Sequence, residues 1–277
     1  MNNIFTVVPT FLRYPEKFFQ SISKSEAIGM KTFSLAVSSI MFLAIYGFVT
    51  GLSHSLLQAL SSAVKMPVLF VATVFFCLPA FYFFSLVLGT KLSLAQVTAV
   101  VLSAIGVTAF LLLGLAPITL FFVLTSENFA FFRLLLTLFV ALTGFVGVYF
   151  LWRGMSIIEA GDDFYRHLRR VVLGMWVGLY GFIGSQMAWR LSPFVGDSKN
   201  PFELINPTRD NFYVDVIKAF VEVAGLQLSL VNVNAVLVGA GCLIPLIALV
   251  FMIGMAKDAT KKNKSVAQTL VTPQTSA

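Results

Sequence analysis

The stretch LSLAQVTAVVLSAIGVTAFLLLGLAPITLFFVLTS, Leu92 to Ser126, carries no charged side chain. A helix on the surface of a soluble protein keeps one polar face for water, and this segment has none to offer. About 20 predominantly apolar residues take a helix across the hydrocarbon core, so the segment is long enough for one crossing but too short for two crossings and a turn. It reads as a single span over 97–123. Pro117 lies inside it and removes one backbone hydrogen bond, a defect that membrane helices tolerate where neighbours satisfy the freed carbonyl. An ordinary kink and a gating hinge both fit that proline.

Working outward, charge-free runs of the same character place further spans near 33–53, 67–88, 132–152, 171–191 and 234–256. The chain is therefore expected to be all-α, a polytopic membrane helical bundle of about six transmembrane helices. Its composition agrees: 58% hydrophobic and only 11% charged residues, with a mean hydropathy of +0.91, fall outside the soluble globular range. The 33–256 transmembrane domain is flanked by an interfacial N-terminal segment, 1–32, and a polar basic tail, 257–277, read as disordered. In the N-terminal segment Phe5, Val8, Phe11, Leu12, Phe18, Phe19 and Ile22 form an apolar side broken by Pro9 and Pro15, which predicts short helices lying in the interface. The opening residues lack the order of basic, apolar and small residues of a signal peptide, so no cleavage is expected.

Lysine and arginine are retained on the cytoplasmic side of membranes. With the N-terminus inside, the cytoplasmic segments hold about two-thirds of the 19 basic residues, which favours both termini in the cytoplasm. The net charge of +7 is spread over short segments between spans, an arrangement suited to lipid and not to nucleic acid. Lys257, Lys261, Lys262 and Lys264 follow the last span directly. They serve either as a topology signal alone or as contacts to anionic headgroups at the cytoplasmic face.

Catalytic chemistry finds little material. Cys77 and Cys242 each sit in an apolar run and read as small fillers, not as a disulfide or thiolate metal site. His54 and His167 fall at the ends of different spans on opposite sides. Glu159, Asp162 and Asp163 share a short loop with Arg166, Arg169 and Arg170, where ion pairing is the simpler use of carboxylates than acid–base work or metal binding. No catalytic residue, metal or cofactor is expected. Ion-coupled transport would want titratable groups at mid-membrane and broken helices in matching half-repeats, and neither pattern is present.

The span near 171–191 is the most informative. Gly174, Gly178, Gly181, Ser185 and Ala188 recur at spacings of 4, 3, 4 and 3, laying a small-residue stripe along one side that lets another helix approach closely. The partner is either another span of the same chain or the same helix of a second copy. Gly47 and Gly51 offer a further contact of this type. Gln186 and Arg190 stand one turn apart beside the stripe. Arg190 either snorkels to the interface with Trp189 as aromatic anchor, or lines a wet outer vestibule with Gln186. The loop 192–233 reads as a structured lid. Asn200, Pro201 and Glu203 suit the start of a short helix, and FYVDVIKAFVEVAGLQL continues as an amphipathic helix with Val214, Ile217, Phe220, Val221 and Leu226 to one side.

Two stretches carry a family resemblance. YPEKFFQSI, from Tyr14, resembles the Pro-acid-x-Phe-Phe opening of prokaryotic Yip-type (Ypt-interacting-protein) domains. Lys65 to Phe122 is similar to their middle spans, with Gly89, Gln96, Ala116 and Pro117 at the matching positions. The resemblance covers roughly the first 125 residues; it implies a small helical-bundle membrane protein without catalysis. The sixth span and long outer loop depart from that family. The combined expectation is a non-enzymatic scaffold or adaptor of membrane organisation that forms homo-oligomers through the fifth span, in contact with membrane lipids. The alternative is a channel or passive pore with an outer vestibule near Gln186 and Arg190.

Overall fold

The computed structural model describes residues 7–87, 92–125, 128–158, 163–195, 204 and 212–223. All regular structure among them is helical: α1 (Val7–Arg13), α2 (Pro15–Ser23), α3 (Ile28–Gly51), α4 (Leu56–Val87), α5 (Leu94–Thr125), α6 (Phe129–Ile158), α7 (Asp163–Leu191) and α8 (Phe212–Val223). Five of these, α3 to α7, are long and apolar enough to cross a membrane, so the chain is an integral, multi-pass membrane protein. The expected sixth span, 234–256, and the tail lysines lie outside the described residues.

The helices run longer than the charge-free runs suggested. The second span begins at Leu56, not near 67, because Lys65 is a buried helical residue and Pro67 is carried inside the helix. At 1.5 Å per residue α4 is about 48 Å long, well beyond the hydrocarbon thickness. Phe75 and Phe83 are more than 60% exposed, as expected of a surface that meets lipid tails instead of water.

Five spans pack in the order α6, α5, α3, α4, α7, with α8 laid against both α6 and α7. Close approach in this row depends on missing side chains. A Cβ on Gly47 would strike the Ser62 carbonyl, and one on Gly51 would meet the backbone of Gln58 and Ala59, so α3 and α4 touch main chain to main chain. Gly147 does the same for α6 against Thr108 and Ala104 of α5. The weaker of the two glycine patterns in the sequence is thus the one that closes an interhelical contact within the chain.

The N-terminal helices do more than lie in the interface. Val8 and Phe11 of α1 and Phe19 and Ile22 of α2 are at most 1% exposed. Val8 reaches Gly106 of α5 and Leu35 of α3, about 18 Å along α5 from its first residue. Phe11 packs edge-on to Phe150, and Phe19 occupies the space left by Gly154 of α6. The amphipathic pattern correctly marks the apolar side, but the bundle supplies a groove that buries it. At the start of α5, Gln96 Oε1 accepts from the Ser93 amide (2.9 Å) while the Gln96 amide approaches Ser93 Oγ (3.3 Å), a capping box. Gln96 Nε2 also donates to the carbonyls of Ile22 (3.2 Å) and Ser23 (3.0 Å), tying α2 to α5.

Replacing Gly51 with Val is expected to cost about 1–3 kcal/mol through overpacking. Gly29→Ala, where a Cβ meets no atom within 4 Å, should leave stability unchanged or raise it slightly. Thermal unfolding of the purified protein in detergent, followed by intrinsic fluorescence, checks the contrast; equal melting temperatures would refute the close α3–α4 contact.

Candidate functional site

The end of the bundle where α3 turns into α4 holds the densest buried polar cluster tied to a non-helical segment. Gln58, Ser62 and Lys65 recur at i, i+4 and i+7, which places them on one side of α4. All three are buried, at 1%, 0% and 6% exposure. The chain leaving α7 runs across them. Gln58 Nε2 donates to the Pro193 carbonyl at 2.6 Å, Lys65 Nζ donates to the same oxygen at 3.1 Å, and Ser62 Oγ donates to the Phe194 carbonyl at 2.6 Å.

Proline has no N–H, and the segment after α7 cannot satisfy its carbonyls by continuing the helix. Three donors on one strip of α4 do so instead. The side chains of the same segment face the other way chemically: Val195, 6% exposed, joins Tyr46, Met66, Leu112 and Phe132 in the core, and Phe194 packs beside them. The segment 192–195 is thus a stopper, polar on its main chain toward α4 and apolar at its tip toward α3, α5 and α6.

The ammonium of Lys65 has no carboxylate within ion-pair distance among the described residues. A buried charge held by one carbonyl is costly unless it has further polar company. Gln58 Oε1, Ser61 Oγ and the Trp189 indole N–H are buried without a partner among the described residues. Of these, Gln58 Oε1 belongs to a side chain that itself binds the segment 192–195, so the strip on α4 keeps an unused acceptor.

Helix α7 meets α4 with its bulky side. Trp176 Nε1 donates to the Cys77 carbonyl at 2.8 Å, the Trp176 ring lies 4.6 Å from Phe81, and Gly184 faces Thr73. The small-residue stripe lies elsewhere on the helix. Gly178 and Gly181 have nothing within 4 Å of a Cβ position, Gly174 is buried, and Ala188 is half-buried. Ser185 is engaged by α8: its Oγ donates to Tyr213 Oη at 3.1 Å, and Tyr213 stacks on Phe182. Among the described residues the stripe thus has α8 at one end and no neighbour at the Cβ positions of Gly178 and Gly181.

Gln186 is half-buried and Arg190 exposed. Asp215 of α8 pairs with Arg133 of α6. Of the apolar residues expected on one side of this helix, Val214 and Val221 are buried whereas Phe220 is 61% exposed. Trp189 is 8% exposed and so packs inside the bundle end instead of standing in the interface. Asn200, Pro201, Glu203, Leu226, Asp162, Lys257, Lys261, Lys262 and Lys264 lie outside the described residues, as do the side chains of Asp163 and His167. Among the described residues no group of three or more metal-ligating side chains comes together.

The strip of Gln58, Ser62 and Lys65 was missed by sequence reading, although its helical spacing in QALSSAVK is the signal that could have revealed it. Comparison with family models, curated proteins and solved structures finds no match for this chain.

Removing the Gln58 and Ser62 donors together leaves the Phe194 carbonyl without its donor and the Pro193 carbonyl with Lys65 alone, at a cost of about 1–3 kcal/mol. In a Cys77→Ala, Cys242→Ala background, Val195→Cys should then react with a membrane-impermeant maleimide roughly tenfold faster or more in Gln58→Ala, Ser62→Ala protein, given about 1.4 kcal/mol per factor of ten. Unchanged labelling would mean that the stopper is held by its apolar tip alone.

Proposed function

We propose that this protein is a non-enzymatic membrane scaffold or adaptor whose copies associate through α7. The observation that carries this reading is the division of labour on that helix. Its Trp176 is engaged by α4, while Gly178 and Gly181 have no atom of the described residues within 4 Å of a Cβ position. Without a hydrophobic driving force between helices in lipid, close backbone approach at small residues is what makes association favourable. The glycine contacts of α3 with α4 and of α6 with α5 fit the same reading, since they close the described helices on one another. The Yip-type resemblance belongs with it, as a small helical bundle that acts by assembly. Disulfide trapping tests the interface in the Cys77→Ala, Cys242→Ala background. Gly181→Cys should give linked dimers in membranes and Gly184→Cys, which faces Thr73, should not. Equal trapping at both positions, or none at Gly181, rejects association through this face.

The channel reading survives on one observation: a buried lysine and unpartnered polar groups lie under a removable-looking segment at one end of the bundle. In this reading Gln58 and Lys65 stand behind the segment 192–195, and Gln186 and Arg190 belong to the helix that leads into it. Chloride and potassium flux from liposomes separates the two readings. For a scaffold, wild type and the Gln58→Ala, Ser62→Ala variant are both silent. For a pore closed by residues 192–195, the variant conducts, with an anion preference that Lys65→Met reduces.

A further inference from the structure

We propose that Arg13, Tyr14 and Lys17 form a headgroup site for an anionic membrane lipid at the end of the bundle where α1 passes into α2. The Arg13 guanidinium lies 5.5 Å and the Lys17 ammonium 5.4 Å from the centroid of the Tyr14 ring. Both distances fall within cation–π range, so one aromatic ring gathers two cations around it. Like charges gathered at one ring are relieved by a counter-ion. Among the described residues none is supplied: no carboxylate is within ion-pair distance of either, and Glu16 between them turns to Arg153 of α6 at 2.7 Å.

The site is fixed in position. Tyr14 is the non-helical residue between the two helices, with φ −134° and ψ 62°, and Pro15 follows it as the first residue of α2. On either side Phe11 and Phe19 are anchored in the bundle at 1% and 0% exposure, so the polar side of this bend cannot turn inward. Tyr14 itself is 48% exposed, and Arg13 and Lys17 are exposed.

Depth places it at the headgroups. The apolar helix Ala130–Ile158 of α6 has 29 residues, about 43 Å, against a hydrocarbon core of about 30 Å. Its last turns therefore stand in the interface, and Arg153 and Glu16, 36% and 65% exposed, emerge there. A lipid phosphate at that level meets two cations and a tyrosine hydroxyl. The ring suits the interface, where aromatic residues with a polar tip are enriched. This differs from a loose basic tail, since the charges are held in a set geometry by a folded element.

The test uses the full chain in nanodiscs of phosphatidylcholine, titrated with fluorescent phosphatidylglycerol. Wild type is expected to enrich the anionic lipid, and Arg13→Gln, Lys17→Gln protein to bind it roughly thirtyfold more weakly, from about a five- to sixfold factor per charge near an anionic surface. Tyr14→Leu, which keeps both charges, should lose several-fold. A matched pair of charge removals in the outer loop, Lys199→Gln and Arg209→Gln, should leave the affinity unchanged. Melting temperatures of the Arg13, Tyr14 and Lys17 variants in phosphatidylcholine should match wild type, because those side chains are exposed. Equal weakening by the outer-loop variant would reduce the effect to net charge and overturn the site. Loss of binding on adding millimolar inorganic phosphate would overturn the lipid as its ligand, and unchanged affinity in the Arg13, Lys17 variant would overturn the residues.

Discussion

Main-chain carbonyls that leave a helix inside an apolar bundle have no water to turn to, and this constraint organises both ends of the molecule. Two glutamines meet it. Gln96, at the start of α5, donates to the carbonyls of Ile22 and Ser23 where α2 ends. Gln58, near the start of α4, donates to the Pro193 carbonyl where α7 ends, with Lys65 and Ser62 completing the set. In each case a segment too short or too irregular to bury itself is fixed by side chains from a long span. The position of the N-terminal pair and of the stopper follows from these bonds as much as from apolar contact. Further along the chain, α8 settles on α6 and α7 through Arg133–Asp215 and Tyr213.

The spans differ in how much of themselves they give to the interior. The apolar window of α3 is 44% buried and that of α7 17%, which puts α3 at the centre of the described row and α7 at its end. Glycine placement explains how the centre can be so tight. Gly47 and Gly51 face α4 backbone, whereas Gly178 and Gly181 meet nothing among the described residues. The same residue type therefore marks a closed contact in one helix and an open one in another. Hydroxyls in the interior are met economically: Ser39, Ser103 and Thr119 each donate to a carbonyl three or four residues earlier, so a polar residue in a span need not imply a polar path.

Much of the architecture was legible before any coordinates. Charge-free runs located all five described spans, and the Phe and Val positions of 8–22 identified the side of α1 and α2 that is buried. Boundaries were less legible, because a lysine reads as the end of an apolar run while a helix continues through it where the ammonium finds an acceptor. Lys65 is that case, and with it the start of α4 and the whole polar strip escaped notice. Gln186 and Arg190 drew attention as the polar residues closing an apolar run, yet the polar atoms the structure buries at that end belong to another helix. The Ser185 hydroxyl lay in a stripe that spacing alone could find, but only its meeting with Tyr213 shows which part of the stripe α8 occupies.

Composition and periodicity by themselves determined the solvent, the number of described crossings and the amphipathic sides, because transfer of apolar surface and pairing of backbone groups within a helix are properties of a segment taken alone. Tertiary structure decided which glycines are filled by a neighbour, where the non-helical carbonyls find donors, and whether an interfacial helix rests on the membrane or wedges between spans. These outcomes depend on which helices become neighbours and at what height, and spacing along one segment carries no record of the segment that will face it.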